Sequence, residues 1–140
     1  MSVPVGQRSK SPLEVQVKAD ELVTHTIRIM SNDKVFDPKY SALSDRVINA
    51  AVDALVCLGE ANDIMVNGDP ELWATRRDLQ REACRKLLTL RVLIRICRST
   101  YHLRKRKYEY WTGLAWDTLS LARKWRDSDA KRYGHLSSGQ

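Results

Sequence analysis

Residues 69–99, DPELWATRRDLQREACRKLLTLRVLIRICRS, decide the fold. Asp69 before Pro70 is a helix start, because a carboxylate caps free backbone amides and proline fits the first turn without losing a bonded N–H. Downstream, Leu72, Leu79, Ala83, Leu87, Leu90, Ile94 and Cys97 fall within about 80° of arc on a wheel of about 100° per residue. No glycine or proline interrupts them, so one long amphipathic helix is expected from Pro70 to about Ser99.

The other flank of that helix is unusual. Arg77, Arg81, Arg85, Arg91, Arg95 and Arg98 share an arc of about 140°, centred roughly 120° from the apolar stripe. Arginine carries a planar fork of donors that holds phosphate bidentately and is never neutral, so such a row is a candidate track for a nucleic-acid backbone. A solvated face is the alternative, with Asp78 pairing Arg81 or Arg85 and Glu82 pairing Arg85 or Lys86, but these acids are too few to neutralise the row. Leu88, Val92 and Ile96 form a second apolar line on the arginine side. One apolar face suffices for a small bundle, so this line, with Trp73 and Trp116, is expected to meet another subunit; a wider core in a monomer is the alternative.

Three further helices flank this one. Val15, Ala19, Leu22, Thr26 and Ile29 mark a first helix from about Leu13 to Met30, ended by Asn32, Asp33 and Asp37-Pro38. Leu43, Val47, Ala51, Ala54, Leu58, Ala61 and Met65 mark a second from Ser41 to about Val66, with Asn67-Gly68 as its stop. Gly59 inside it signals either a closely approaching helix or a tolerated defect. Tyr108, Trp111, Ala115, Thr118, Ala122 and Trp125 mark a fourth from about Lys105 to Lys131. No segment alternates with period two. The expectation is an all-α, antiparallel up-down-up-down four-helix bundle over residues 14–133, with flexible tails at 1–13 and 134–140.

The 140 residues suit one domain, and 43% hydrophobic against 29% charged residues excludes collagenous and disordered classes. The net charge of +7 is uneven: residues 1–69 hold 7 basic and 10 acidic side chains, residues 70–140 hold 17 and 7. A basic half raises the expectation of nucleic acid or an acidic protein as partner. Arg104-Lys105-Arg106-Lys107, flanked by Tyr101 and Tyr108, adds to it, since rings beside a basic cluster can stack bases. No apolar run approaches the roughly 20 residues that cross a bilayer, and Met1 to Lys10 lack an apolar leader core, so no membrane association and a cytoplasmic location are expected.

Catalytic signals are poor. Cys57, Cys84 and Cys97 contain no C-x-x-C pair, which argues against a zinc site or a disulfide framework and reads as reduced core thiols. His25, with Glu21 one turn before it, reads as structural, while His102 and His135 fall in a turn and a tail. There is no G-x-S-x-G, H-E-x-x-H or glycine-rich phosphate loop, so neither an enzyme nor a metal or other cofactor is expected.

Leu43-x-x-Arg46, Leu58-Gly59-Glu60-Ala61-Asn62, Leu79-Gln80-x-x-Ala83-Cys84 with Leu87-Leu88, Glu109-Tyr110-Trp111-Thr112 and Trp125-Arg126 follow in an order and spacing that resembles the accessory variability determinant (Avd) proteins of diversity-generating retroelements. The likeness runs from about Val17 to Arg132, and the wider group includes four-helix-bundle proteins encoded in ribosomal RNA intervening sequences. This resemblance implies a basic bundle assembled as a homo-oligomer, a pentamer. It implies binding to the element's reverse transcriptase and to template RNA and DNA, an RNA–DNA hybrid included, in support of mutagenic retrohoming. The arginines of the third helix and Arg104 to Lys107 would then be the contacts. Tyr101, His102 and Arg104 depart from the family pattern, which has glycine, an aliphatic residue and a polar cap there.

Two alternatives accompany that reading. A bundle docking its basic face on an acidic protein would not touch nucleic acid. A helical enzyme clamping a dicarboxylate would need interior arginines, which the wheel does not support; a neutral or acidic side chain buried beside Arg46 or Arg76 would reopen it.

Overall fold

A computed structural model describes residues 5–137, with side chains from residue 11 onward. Its elements are α1 (Val5–Met30), a 3-10 turn (Pro38–Tyr40), α2 (Ser41–Asp63), α3 (Pro70–Tyr101), α4 (Lys105–Tyr133) and a second 3-10 turn (Gly134–Ser137). No strand occurs among the described residues. Each helix packs on its two chain neighbours and α1 closes on α4, which is the square of an up-down-up-down bundle. Of the expected tails, α1 takes in the first from Val5 onward and the second opens as the Gly134–Ser137 turn. The rest of both, residues 1–4 and 138–140, lies outside the described residues.

The core follows the sequence stripes. Val15, Leu22, Val47, Leu58, Leu87, Leu90, Ile94, Trp111, Leu119 and Trp125 are each at most 2% exposed, and each large side chain removed from water contributes about 1.5–3 kcal/mol. Buried side chains of α4 bond to α1 inside this core: Trp111 Nε1 donates to Thr26 Oγ1 at 3.0 Å, that hydroxyl donates to the Leu22 carbonyl at 2.7 Å, and Thr118 Oγ1 lies 3.4 Å from the Lys18 carbonyl. Asp69 starts α3 as expected, its carboxylate accepting the Glu71 amide at 2.9 Å with Pro70 in the first turn.

The structure corrects the stripes in two places. Met65, expected in the core, is 69% exposed, because α2 stops at Asp63 and Ile64 is extended. Asn67 and Gly68 both take left-handed backbone (φ 49° and 73°), but in the turn after the helix rather than as its cap. Leu72 is likewise exposed and Trp73 replaces it inside, because Arg76 and Gln80 also face inward and rotate the buried stripe of the first turns of α3. Trp73 is therefore a core residue and not part of a subunit contact: at 2% exposure it donates Nε1 to Ser137 Oγ at 2.9 Å and packs on Tyr133. A Cβ on Gly59 would meet nothing nearer than Gln16 Oε1 at 4.0 Å, so no helix approaches it closely.

Arg76 and Asp129 carry the only buried ion pair among the described residues. Arg76 Nε donates to Asp129 Oδ2 at 2.7 Å, Gln80 Nε2 to the same oxygen at 2.6 Å, and Arg76 Nη1 to the Ile64 carbonyl at 3.0 Å. The guanidinium also lies over Trp125, 5.1 Å from the ring centre. An acid does lie buried beside Arg76, as the clamp alternative required, but it already holds this arginine.

Replacing Asp129 with Ala is expected to cost about 3–5 kcal/mol in urea unfolding followed by circular dichroism, because it strands a buried guanidinium. The double variant Arg76→Met, Asp129→Leu is expected to regain much of that loss; a double variant as unstable as the single one would place the cost elsewhere.

Candidate nucleic-acid interface

Helix α3 presents its arginines in two ridges. Arg77, Arg81 and Arg85 occupy the N-terminal half, and Leu88, Val92 and Ile96 continue the same outward line in the C-terminal half, 40%, 48% and 44% exposed. In that second half Arg91, Arg95 and Arg98 lie on the side towards α4. Arg81, Arg85, Arg95 and Arg98 are exposed, while Arg77 and Arg91 are half-buried.

Aromatic rings hold the two half-buried members and the exposed Arg98. Arg91 lies over Trp116 of α4, 4.4 Å from the ring centre, and Arg98 over Tyr108 of α4 at the same distance. Arg77 sits over Trp73 at 5.8 Å and donates Nη1 to Ser137 Oγ at 3.2 Å. Stacking on a ring fixes a guanidinium without neutralising it. Nε of Arg77 and Nε of Arg91 are buried and make no hydrogen bond among the described residues; the former has Asp78 Oδ1 at 3.9 Å. Trp116 thus serves first as the platform for Arg91, with 44% of its surface still exposed beside the Leu88 line.

Acidic neighbours leave most of the row uncompensated. Glu82 pairs with Arg85 at 3.5 Å and with Lys86 at 3.9 Å, and Asp78 reaches Arg77 at 3.9 Å rather than the expected Arg81 or Arg85. Among the described residues no carboxylate lies within 4.0 Å of a charged nitrogen of Arg81, Arg91, Arg95 or Arg98. Near the N-terminal end of α3, a cavity of about 350 Å³ is lined by Trp73, Arg77, Arg81, Arg126, Asp127 and Ala130. Arg126 is the contact that reading α3 alone overlooks, and its signal was its place on the α3-facing side of α4, one turn after Ala122.

The basic turn sits at the other end of the row. Arg104, Lys105, Arg106 and Lys107 are all exposed at the start of α4, whose first turn holds no acid and whose cap residue Arg104 makes no side-chain cap bond. Cations there oppose the helix dipole, and among the described residues only Lys105 has a counter-charge, Glu109 at 3.8 Å. An anion bound at this helix start would relieve both the dipole and the uncapped amides.

Tyr101 does not join this surface. It is 8% exposed, packs on Phe36 with ring centres 4.6 Å apart and on Tyr40 at 5.7 Å, and shares a hydrogen bond with Ser44 at 3.3 Å. His102 caps α3 in the left-handed conformation at φ 54°, its amide bonded to the Arg98 carbonyl. Tyr101 thus closes an aromatic cluster with Phe36 and Tyr40 over this end of the bundle.

His25 lies on another face, edge-on to Tyr110 at 4.9 Å, and burial, then Arg28, lowers its pKa. No group of three or more His, Cys, Asp or Glu that could hold a metal exists among the described residues, and no helix there is long and apolar enough to cross a membrane. Comparison with protein-family models, curated proteins and solved structures finds no match.

The thiols give a direct check on this packing. Burial raises Cys97 to about 12; it also raises Cys84, against the pull of Arg126 and Arg123, and Cys57, with Glu60 adding to the effect. An Ellman titration at pH 8 is expected to find only half-exposed Cys57 reacting, slowly, in the native protein and all three thiols in urea. Rapid native reaction of Cys84 would contradict the closed α3–α4 contact.

Proposed function

We propose that this chain is a non-enzymatic accessory protein whose α3–α4 face binds the backbone of RNA, DNA or their hybrid, in the service of a retroelement reverse transcriptase. The observation that carries the reading is the uncompensated arginine row on a rigid helix, with Arg91 and Arg98 locked on rings of α4. From Arg77 to Arg98 the row extends about 32 Å along the helix axis. That is close to one duplex turn, about 34 Å, so the row can follow the phosphates that border one groove. Rigid arginines on a helix flank read backbone charge and shape before base edges, so the binding is only weakly sequence-specific.

The Avd resemblance supplies the partner and the setting: a reverse transcriptase, template copying in the cytoplasm, and a homo-oligomer of the pentameric kind. The free thiols suit that reducing compartment. Subunits are proposed to meet through Leu88, Val92, Ile96 and the exposed edge of Trp116.

The same apolar line favours one other reading, in which α3 docks on an acidic protein with Leu88, Val92 and Ile96 as its anchors.

Fluorescence anisotropy with RNA, DNA and hybrid duplexes at several salt concentrations tests the first reading. The triple variant Arg81→Glu, Arg95→Glu, Arg106→Glu spares the stacked arginines, so its helicity is expected to stay unchanged. Its binding should fall steeply, and the slope of log K against log salt should flatten by about three. Equal affinity in wild type and triple variant, or no binding at low salt, would favour docking on an acidic protein.

Assembly has its own check. Val92→Asp places a charge on the apolar line without touching the core, and light scattering after size exclusion is expected to show smaller particles than wild type. A monomeric wild type would remove the subunit contact.

A further inference from the structure

We propose that a cavity at the end of the bundle where α2 turns into α3 binds a small amphipathic carboxylate, its head on Arg76 and Gln16 and its apolar body between Leu13 and Met65. The cavity holds about 660 Å³ and is walled by the first half of α1, residues 62–68 and the end of α4. That size falls in the range of small-ligand pockets, about 300–1,000 Å³. It lies at the opposite end of the bundle from Arg104 to Lys107, so this binding does not depend on the nucleic-acid reading.

The floor offers donors. Arg76, 8% exposed and lining the cavity, spends Nε on Asp129 and Nη1 on the Ile64 carbonyl, and its Nη2 makes no hydrogen bond among the described residues. Gln16 also lines the cavity, and its Nε2 is buried with no hydrogen-bond acceptor. A buried donor left unmade costs about 1–3 kcal/mol, so a chain keeps one chiefly where something else satisfies it. Arg132 stands on the wall, and among the described residues no Asp or Glu lines the space. Asp129 already balances Arg76, so Arg132 is the charge left for an incoming anion. A carboxylate fits this set: its two oxygens accept from the free edge of a guanidinium and from an amide together, in charge-assisted bonds.

The rim specifies the rest of the ligand. Met65 at 69% and Leu13 at 63% are the two most exposed large hydrophobic residues described in the chain, and both flank this one cavity with Ile64 and Val66 beside them. A lone exposed apolar residue needs no explanation, but two that line one cavity with a donor-bearing floor suit a ligand with an acidic head and an apolar tail. The early end of α2 at Asp63 creates this arrangement, since a helix continued to Val66 would have carried Met65 into the bundle stripe.

The test follows the Met65 methyl resonance of the full chain by carbon-13 NMR, assigned by its absence in Met65→Leu, during titration with sodium octanoate and separately with octan-1-ol. Octanoate is expected to shift the resonance saturably, and octanol, with the same tail and no charge, to bind at least about tenfold more weakly. Gln16→Leu should weaken octanoate about tenfold. Gln16→Glu, which keeps the side-chain size and sets a like charge at the floor, should abolish the shift with circular dichroism unchanged. An unmoved Met65 through the millimolar range, equal shifts by octanol, or an unaltered affinity in both Gln16 variants would overturn the proposal. So would saturation by an acetylated Asp-Leu peptide but not by octanoate, which would make the cavity a seat for a protein segment.

Discussion

The ion pair between Arg76 and Asp129 is the constraint on which one end of the bundle depends. A charge taken out of water must be fully partnered or it destabilises the fold by several kcal/mol. Here the partners come from three elements: Arg76 and Gln80 from α3, Asp129 from α4 and the Ile64 carbonyl from the residue that ends α2. Satisfying that guanidinium therefore fixes where α2 stops, how α3 is rotated about its axis and where the last turns of α4 lie. Met65 outside, Trp73 inside and the donor-lined cavity are consequences of one buried charge.

This is also where sequence reasoning went astray. The number and order of the helices and the start of α3 were legible, because the stripes of Leu22, Leu58, Leu87 and Trp111 repeat at helical spacing and Asp69-Pro70 marks a start without ambiguity. Hydrophobic periodicity gives no weight to a buried arginine or glutamine, however, so the stripe it draws passes through Leu72 instead of Trp73, Arg76 and Gln80. Nothing local marks Asp129 as the partner, 53 residues away in the chain. The opposite end was misread for a related reason: Tyr101 looked like a base-stacking ring beside a basic cluster, but its neighbours Phe36 and Tyr40 come from the connection between α1 and α2 and bury it.

The arginine row was legible as composition and as an arc; what the wheel missed was its division of labour. A wheel collapses the helix axis, so Arg77, Arg81 and Arg85 appeared mixed with Leu88, Val92 and Ile96, whereas along the axis one follows the other. The stacks of Arg91 on Trp116 and Arg98 on Tyr108 join two helices, and no reading of one helix contains them.

That axial division would let one helix serve both proposed partners. A subunit laid on Leu88, Val92 and Ile96 covers the outward side of the C-terminal half of α3 and leaves Arg91, Arg95 and Arg98 turned toward α4. In the other half, Arg77 and Arg81 meet Arg126 around a cavity that the apolar line does not reach. Like charges so close repel one another and weaken the compact state, yet the rings beneath Arg77, Arg91 and Arg98 hold them in place with few acids to offset them. A fold that fixes cations with aromatic faces instead of carboxylates keeps their charge available to a ligand. The unrelieved charge at the uncapped start of α4 follows the same pattern: local rules of helix design are broken where an external anion would restore them.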